Sequence, residues 1–481
     1  MKRLLITLLL LSVFIYGCED ATDILPVDQV AADEALTTPE DIALALSGAY
    51  SSYSPQLLIQ INSRFADDLR IGVDNGGQGL ADINLVLNSN SGTAAGVYSS
   101  YYNVINQVNR ILVAIDELDT PSLTAEQIAS VSDIQGQALA LRALSHFDLL
   151  TLFSTSYDDD NALAVPYIDF VVVLELPARN TVGEVFAGIE QDLTAASALI
   201  ENTSNIFMTN ELITALRAKI ALFRGDFPNA IALSNESIAQ FPLANTTQYV
   251  AMYADDLSEE GQGDTEVIFR VARTVTDARA GGLFYFTGTG GAFFEMSEGL
   301  FNNLDPADIR TDVLLDDDVS GAAIDPVSDP PNTLFIGKYP GRDGQFGLND
   351  IKMYRVSEQY LIRAEAQARS GDLTGAAMTI DILRDARYGS DQPAPSYGSL
   401  QDAMTDILLE RRLELAYEGH RYIDIKRTRD ITNQGIVRDP SDCGGGTPCE
   451  LMVDDFRFTL PIPQAEININ SNTVQNPGYD G

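Results

Sequence analysis

Apolar residues recur at helical spacing along most of this chain. In residues 98–118 they fall three or four positions apart, and residues 133–153 have an equally regular pattern. Such spacing puts the apolar side chains on one face of a helix, where they are buried against the rest of the protein. Similar patterns cover residues 38–50, 181–199, 209–224, 356–388 and 400–418. The chain is therefore predicted to be mainly α-helical.

Two segments have the residue spacing of tetratricopeptide-type helical hairpins. The first contains Ala218, Gly225-Asp226-Phe227 and Ala230; the second contains Ala364, Gly371-Asp372-Leu373 and Ala376. Small residues let two helices approach closely, and Gly-Asp ends one helix and begins the next. Because the two copies are far apart, we predict degenerate hairpins within a larger body rather than a regular solenoid.

Glycine, asparagine, proline and aromatic residues replace the helical pattern in the middle of the chain. We predict one body over residues 36–481, with a helical scaffold at about 36–242 and 351–430. A loop-rich, partly β insert is predicted at 243–350, and an extended segment at 431–481. Long loops on a rigid scaffold are where binding sites usually lie.

The N-terminus has the features of an exported lipoprotein. Lys2 and Arg3 precede an apolar run that begins at Leu4, and Gly17-Cys18 follows it. A positive end, a short apolar core and a small residue before the cleavage point describe a secretory signal. We therefore predict a signal peptide at 1–17, lipidation of Cys18, a tether at 18–35 and a protein anchored on the outside of a bacterial membrane. An ordinary signal peptide with an incidental cysteine is the alternative.

The chain is strongly acidic, with a formal net charge of −39. Such a surface repels a phosphate backbone, so nucleic acid is excluded as a partner. Two acidic runs, Asp158-Asp159-Asp160-Asn161 and Asp316-Asp317-Asp318, could hold calcium through their oxygen atoms. They lack the ligand spacing of a calcium-binding loop, so solvated loops are predicted and calcium is the alternative. We predict no metal and no other cofactor.

The other two cysteines, Cys443 and Cys449, flank a glycine-rich loop. In an exported protein such a pair favours a disulfide over zinc or free thiols, because zinc needs more ligands and the chain has only two histidines.

The segment 410–427 is the strongest candidate for catalysis. Glu410 and Glu414 lie four positions apart on one predicted helix face, and paired carboxylates can hydrolyse a glycoside. Each of them has arginine neighbours, however, which would lower rather than raise its pKa. We therefore favour a buried salt-bridge network, and no catalytic residue is predicted.

Five ordered motifs resemble the SusD/RagB family of surface lipoproteins from Bacteroidetes-type bacteria. They are Tyr98-x3-Tyr102-x2-Ile105-x3-Asn109, the segment 137–149, the segment 356–366, Glu410-Arg411-Arg412-x-Glu414 continuing to Arg427, and the closing segment 461–479. The resemblance covers nearly the whole mature chain. Tyr98 stands where the family commonly has Trp, and this chain has no Trp.

The resemblance implies a SusD-like fold, with tetratricopeptide-like hairpins supporting a loop-rich face. It also implies an outer-membrane protein that faces the cell exterior and has no catalytic activity. Such a protein captures an oligosaccharide and passes it to a SusC-like TonB-dependent transporter. Peptide capture for the same kind of transporter is the alternative within this class, and a surface glycoside hydrolase is the alternative from another class.

Two loops combine aromatic rings with the polar groups that sugar hydroxyls need. The first runs from Arg64 to Gly77, and the second contains residues 284–286 and 293–294. The predicted ligand-binding residues are Asp67, Asp68, Arg70, Asn75, Tyr285, Phe293 and Phe294. The alternative is that the aromatic residues are core residues at the bases of the loops.

Overall fold

The computed structural model describes residues 36–72, 74–285, 291–316 and 334–479, with the side chains of 444 and 445 left aside. Cys18, the predicted signal peptide and the tether therefore lie outside the described residues. So do residues 317–318 of the second acidic run and residue 286 of the second predicted loop.

Helices form most of the described chain, as the periodicity predicts. They are α1 Pro39–Ser52, α2 Gln56–Arg64, α3 Leu80–Ile83, α4 Gly92–Glu117, α5 Ala125–Phe153, α6 Val182–Ser197, α7 Asn210–Phe223, α8 Phe227–Gln240, α9 Thr246–Tyr253, α10 Glu298–Phe301, α11 Ile309–Leu314, α12 Val356–Arg369, α13 Leu373–Tyr388, α14 Leu400–Glu414, α15 Arg421–Thr432 and α16 Gln464–Ile469.

In the described residues, short strands form three pairs, and two of these pairs link the insert to the scaffold. The strands are β1 Leu69–Ile71, β2 Val267–Val271, β3 Phe294–Met296, β4 Ile351–Arg355, β5 Ile436–Val437 and β6 Glu450–Leu451. Each makes one antiparallel pair, β1 with β3, β2 with β4 and β5 with β6. Because β4 leads directly into α12, its pairing with β2 fixes the insert against the scaffold.

Side-chain caps fix where α1 and α5 begin. Thr38 and Thr124 each accept a hydrogen bond from the backbone N–H three residues later, and the side chains of Asp41 and Gln127 bond back to the caps. This reciprocal arrangement satisfies backbone donors that have no partner inside the helix. The helix predicted from the pattern over residues 38–50 is confirmed, with Thr38 as its cap.

The two predicted hairpins are formed by α7–α8 and α12–α13, and they pack against each other. Gly225 and Gly371 have φ of 73° and 89°, a left-handed conformation that ends the first helix of each pair. Ala218 and Ala230 of the first hairpin form a small core with Ala366 of the second. The stacking brings together segments more than 100 positions apart, which no local pattern predicts.

Two predicted boundaries are corrected by backbone geometry. The helix expected over 400–418 ends at Glu414, because Tyr417 and Gly419 have φ of 62° and 90°. The C-terminal segment is not extended throughout: Phe456–Phe458 is a 3-10 turn and α16 follows it. In this turn Phe458 is buried whereas Phe456 is 43% exposed.

Replacement of Gly371 by alanine is expected to destabilise the protein by about 1 kcal/mol, because an alanine resists positive φ. A Cβ at this position would meet no atom within 4 Å, so the effect isolates the backbone. Gly48, in the interior of α1, has equally open space, and Gly48→Ala is expected to stabilise by up to about 1 kcal/mol. Urea unfolding of both variants measures the difference, and equal signs for the two would contradict the assignment.

Candidate functional site

A buried cluster of arginine and glutamate side chains joins the insert to the scaffold. Arg355 Nη1 donates hydrogen bonds to Glu266 at 2.6 Å and to Glu414 at 2.7 Å. Arg387 Nη2 donates to Glu414 at 2.8 Å, and Arg355 Nε contacts Glu418 at 2.9 Å. All five side chains are buried. The cluster therefore ties together the segment before β2, the end of β4, α13, and α14 with the chain that follows it.

The predicted salt-bridge role of Glu410 and Glu414 is confirmed by these contacts. Glu410 Oε1 accepts from Arg310 Nη1 at 2.5 Å, and both side chains are buried. Burial alone would raise the pKa of Glu414, but Arg387 and Arg355 hold it well below its usual range. A glycosidase acid needs a raised pKa and access to substrate. Glu414 lacks the raised pKa that such an acid needs. Both carboxylates are also buried, so substrate has no access to them.

Side chains of the segment 410–427 also hold the first predicted loop in place. Arg421 holds both carboxylate oxygens of Asp67 at 2.7 Å, and Arg412 Nε donates to Asp68 at 2.7 Å. Tyr417 Oη donates to the backbone carbonyl of Asp68 at 3.1 Å. Burial would raise the pKa of Asp67, but Arg412 and Arg421 lower it well below its usual range. The loop is therefore fixed by charge-assisted hydrogen bonds at its base.

Pairing of β1 with β3 brings the two predicted loops together. Arg70 lies opposite Glu295 and Ile71 opposite Phe294 in the antiparallel register. Arg70 Nη2 lies 2.8 Å from Glu295, and its Nη1 lies 3.1 Å from Glu298. The segments after residue 71 and before residue 294 must therefore leave the ladder side by side.

A tight turn follows β1. The Asn75 side chain donates at 2.9 Å to the backbone carbonyls of both Gln78 and Phe293. Gly72 allows close approach here, since a Cβ would lie 2.3 Å from the carbonyl oxygen of Ala292. An asparagine that bonds to the backbone of its own turn is a common loop device. In this turn, residues 74 and 76–78 are exposed to solvent.

Packed aromatic side chains support the other part of this surface. Phe284 stacks on Tyr339 with an interplanar angle of 12°, and Tyr285 packs on Phe346 with ring centroids 4.5 Å apart. Phe346 and Phe293 remain half-buried. We use the term loop face for residues 72, 74–79, 279–285, 291–294 and 341–347.

The structure assigns most of the predicted ligand residues to the support of the loop face rather than to its surface. Asp67, Asp68, Asn75, Tyr285 and Phe294 are at most 5% exposed. Such side chains have almost no surface to offer a ligand in this structure, and their direct contact with a ligand remains a prediction. Tyr285 donates its hydroxyl hydrogen to the carbonyl of Tyr339, and the ring of Phe294 lies under the Arg64 guanidinium.

Arg70 and Phe293 are the two predicted ligand residues that keep part of their side chains in solvent. Arg70 is committed to its two glutamates, so Phe293 is the better candidate for contact with a ligand. Sequence reasoning missed other accessible groups of the loop face, which are Asp74, Gln78, Arg279, Gln345 and Phe346. The Asn-Gly-Gly turn could have indicated the first two. No local pattern indicates the others, because they lie near the site only through tertiary packing.

Other predicted features lie away from the loop face. Cys443 and Cys449 form a disulfide, with Cα atoms 5.3 Å apart. Asp160 of the first acidic run contacts Arg224 at 2.5 Å and is largely exposed. In the described parts of the chain, no cluster of three or more His, Cys, Asp or Glu side chains could hold a metal ion. Nor does any helix in these parts have the length and apolar character needed to cross a membrane.

Two family profiles match the chain. The profile described as "SusD family" matches residues 335–479, and the one described as "Starch-binding associating with outer membrane" matches residues 28–222. SusD-like protein P2 of Formosa agariphila is 26% identical over the full length of both chains. Starch-binding protein SusD of Bacteroides thetaiotaomicron is 33% identical over 132 residues, which cover 27% of this chain and 22% of SusD.

Solved structures show the same fold. A SusD superfamily protein from Bacteroides thetaiotaomicron superposes with a TM-score of 0.75 at 24% identity, covering 92% of this chain and all of that one. Surface glycan-binding protein A from Bacteroides fluxus gives a TM-score of 0.71 at 18% identity, again with 92% and 100% coverage. The predicted mainly α, SusD-like fold is confirmed. The chain belongs to the SusD/RagB family, whose profiles indicate carbohydrate binding and association with the outer membrane.

Proposed function

We propose that this protein is a non-catalytic cell-surface lipoprotein that captures an oligosaccharide at the loop face. It then delivers the oligosaccharide to a SusC-like TonB-dependent transporter in the outer membrane. Lipidation of Cys18 would attach it to that membrane. Several acyl chains on one residue give durable anchoring, whereas a single chain binds only weakly.

The observation that carries the proposal is the construction of the loop face. Arg412 and Arg421 fix the base of the first loop, and Asn75 shapes its exposed turn. Phe293 and Phe346 offer half-buried ring surface beside exposed amide and charged groups. Apolar surface with a few fixed polar groups is typical of small-molecule sites, and a sugar presents both an apolar face and hydroxyls. The same arrangement could hold a peptide, so the ligand class must be tested directly.

The test is binding of the purified mature protein to a glycan array that includes starch-derived oligosaccharides, with a peptide library as a separate arm. For the glycan selected, the double variant Asp74→Ala/Phe346→Ala is expected to bind at least tenfold more weakly by calorimetry. This factor corresponds to about 1.4 kcal/mol, a modest share of what an aromatic contact and a polar contact provide. Asp391→Ala, an exposed acid in the loop after α13, should bind as the unaltered protein does.

Selective peptide binding without glycan binding would show that the captured ligand is a peptide and not an oligosaccharide. Binding unchanged in the double variant would show that the ligand lies elsewhere. Steady release of shorter sugars from the selected glycan would contradict the absence of catalysis.

A further inference from the structure

A surface away from the loop face exposes large aliphatic side chains. In the loop between α5 and α6, Leu174 is 88% exposed and Val173 68%, and Ile469 of α16 is 72% exposed. Phe170 and Leu176 of the same loop are each 41% exposed. We call these five residues the apolar patch. Soluble monomers rarely leave neighbouring large apolar groups in water, and such patches usually mark an interaction site.

Two cavities flank the loop that carries most of the patch. One, of about 410 Å³, is lined by Tyr98, Tyr102, Val172, Leu176 and Ile469. The other, of about 890 Å³, is lined by Leu36, Val113, Leu118 and Phe170. The loop that carries most of the patch therefore lies beside two cavities, and side chains of a partner can fill these cavities. No residue of the loop face lines either cavity.

The backbone of this loop is held by buried side chains from two of the sequence motifs. Asn109 Nδ2 donates to the carbonyls of Ile168 at 3.1 Å and Phe170 at 2.8 Å. Arg142 Nη1 donates to Asn109 Oδ1 at 2.7 Å, and the same guanidinium forms a 2.6 Å ion pair with Asp192. His146 Nε2 accepts from the Ile168 N–H at 3.0 Å. These buried contacts do not touch the loop face, yet they fix one loop in a defined shape.

Further contacts hold the exposed end of the loop. The backbone N–H groups of Val173 and Leu174 both donate to Glu175 Oε2, at 2.7 and 3.0 Å. Asn472 donates to the carbonyl of Leu176 at 2.7 Å. The apolar side chains are therefore presented by an ordered backbone, which lowers the entropy lost when a partner binds.

The position of Leu36 bears on which partner can reach the patch. Leu36, the first described residue, lines the larger cavity, so the segment that leads back to Cys18 begins at this face. Eighteen residues, 18–35, span at most roughly 60 Å when extended. An anchor at Cys18 would therefore keep the patch close to proteins embedded in the same membrane.

The charges around the patch favour a protein over a lipid surface. The linings of the two cavities include Glu117, Asp119, Asp169, Glu175 and Glu466, with Arg110 as their one basic residue. This acidic rim repels anionic headgroups and is complementary to a basic rim on a partner. An apolar centre within a charged rim is the usual anatomy of a protein–protein interface.

We infer that the apolar patch and its two cavities form the docking surface for the extracellular side of the outer-membrane transporter. The inference rests on the proposed function, because that function supplies the partner. Buried Asn109 and Arg142 act as positioning residues that shape the docking loop.

The test compares Leu174→Asp and Ile469→Asp with Met378→Asp, a matched change at a side chain on α13 that is 62% exposed. Each full-length chain carries an affinity tag and is purified from detergent-solubilised outer membranes of the native host. We expect the two patch variants to retain at least tenfold less TonB-dependent transporter, identified by mass spectrometry, than the unaltered chain. Met378→Asp should retain the full amount. A photo-reactive residue at position 174 should form its adduct with that transporter.

Retention of the transporter by both patch variants, or adducts only with lipid or with a second copy of this chain, would overturn the inference while leaving the proposed function intact. An unaltered chain that brings down no transporter would overturn both the docking surface and the delivery step. Glycan affinity of the patch variants should equal that of the unaltered chain, because the loop face is separate. A loss of glycan affinity in the patch variants alone would overturn the assignment of the patch to the transporter.

Discussion

Glu414→Gln is expected to reduce the free energy of unfolding by about 3–5 kcal/mol, the cost typical of removing one partner from a buried ion pair. The substitution keeps the shape of the side chain and removes its charge. Fully buried Arg355 then keeps two of its three glutamates, and fully buried Arg387 keeps only Glu266. A buried guanidinium group that loses a counter-charge is not stabilised by water in its place.

The measurement is urea unfolding at pH 7 followed by the helical circular dichroism signal. Glu236→Gln provides the control, because this glutamate lies on exposed surface of α8 and should change stability by less than about 0.5 kcal/mol. A loss below 1 kcal/mol for Glu414→Gln would contradict the structural role of the cluster. Glycan turnover by the unaltered protein that disappears in a correctly folded Glu414→Gln variant would instead support a hydrolase.

The second large effect is a pH dependence that arises from one buried acid. Asp148 on α5 accepts a hydrogen bond from Tyr53 Oη at 2.8 Å. Burial raises its pKa to about 7, although Tyr53 and Lys219 act in the opposite direction. Between the unfolded pKa near 4 and the folded pKa near 7, the folded state binds a proton that the unfolded state does not. The contribution of Asp148 to stability therefore falls as pH rises through this window and stays low above it.

Two buried histidines oppose this trend in the unaltered protein. Burial lowers the pKa of His146 to about 3, and it lowers that of His420 well below its usual range. Their contributions are lost as pH falls below about 6.5, because the unfolded state then binds the protons. The pH dependence of stability in the unaltered protein therefore combines opposing contributions. Only the difference in unfolding free energy between a variant and the unaltered protein isolates the contribution of Asp148.

Asp148→Asn keeps an acceptor for Tyr53 and cannot ionise. Its stability relative to the unaltered protein should improve between pH 4 and pH 8 by on the order of 4 kcal/mol, since one pKa unit corresponds to about 1.4 kcal/mol. Free energies of unfolding at five pH values measure this difference. The control is Asp391→Asn, which removes a carboxylate from the exposed surface. A pH-independent difference for Asp148→Asn would show that Asp148 ionises normally.

The helical scaffold could be predicted from sequence because its signals are local. Thr38-Pro39, Thr124 and the Gly-Asp turns of the hairpins act within a few residues, and the apolar stripe of 98–118 needs only one helix to define it. The end of α14 at Glu414 was missed because it depends on contacts of the chain that follows the helix. Tyr417 adopts positive φ because its ring is buried, with its hydroxyl on the carbonyl of Asp68, 349 residues away.

The candidate site could be predicted only as a pair of loops. Those loops contain acids beside arginines and aromatic rings beside glycines. Side chains of these types can either contact a ligand or support the residues that contact it, so the sequence does not separate the two roles. Asp67 and Asp68 turned out to be supports because Arg412 and Arg421, from a distant motif, reach them through the fold. Phe346 lies at the face because Tyr285 packs on it, which again requires the folded chain.

The sequence by itself determined the helical class, the two hairpins and the family, since these depend on short-range periodicity, caps and ordered motifs. Only the tertiary structure decided which charged residues are buried as pairs, which rings remain at the surface, and where Leu174 and its neighbours are presented. Burial and pairing are properties of contacts between distant segments. No spacing along the chain encodes them, because each depends on how the stacked hairpins, the insert and the C-terminal segment pack together.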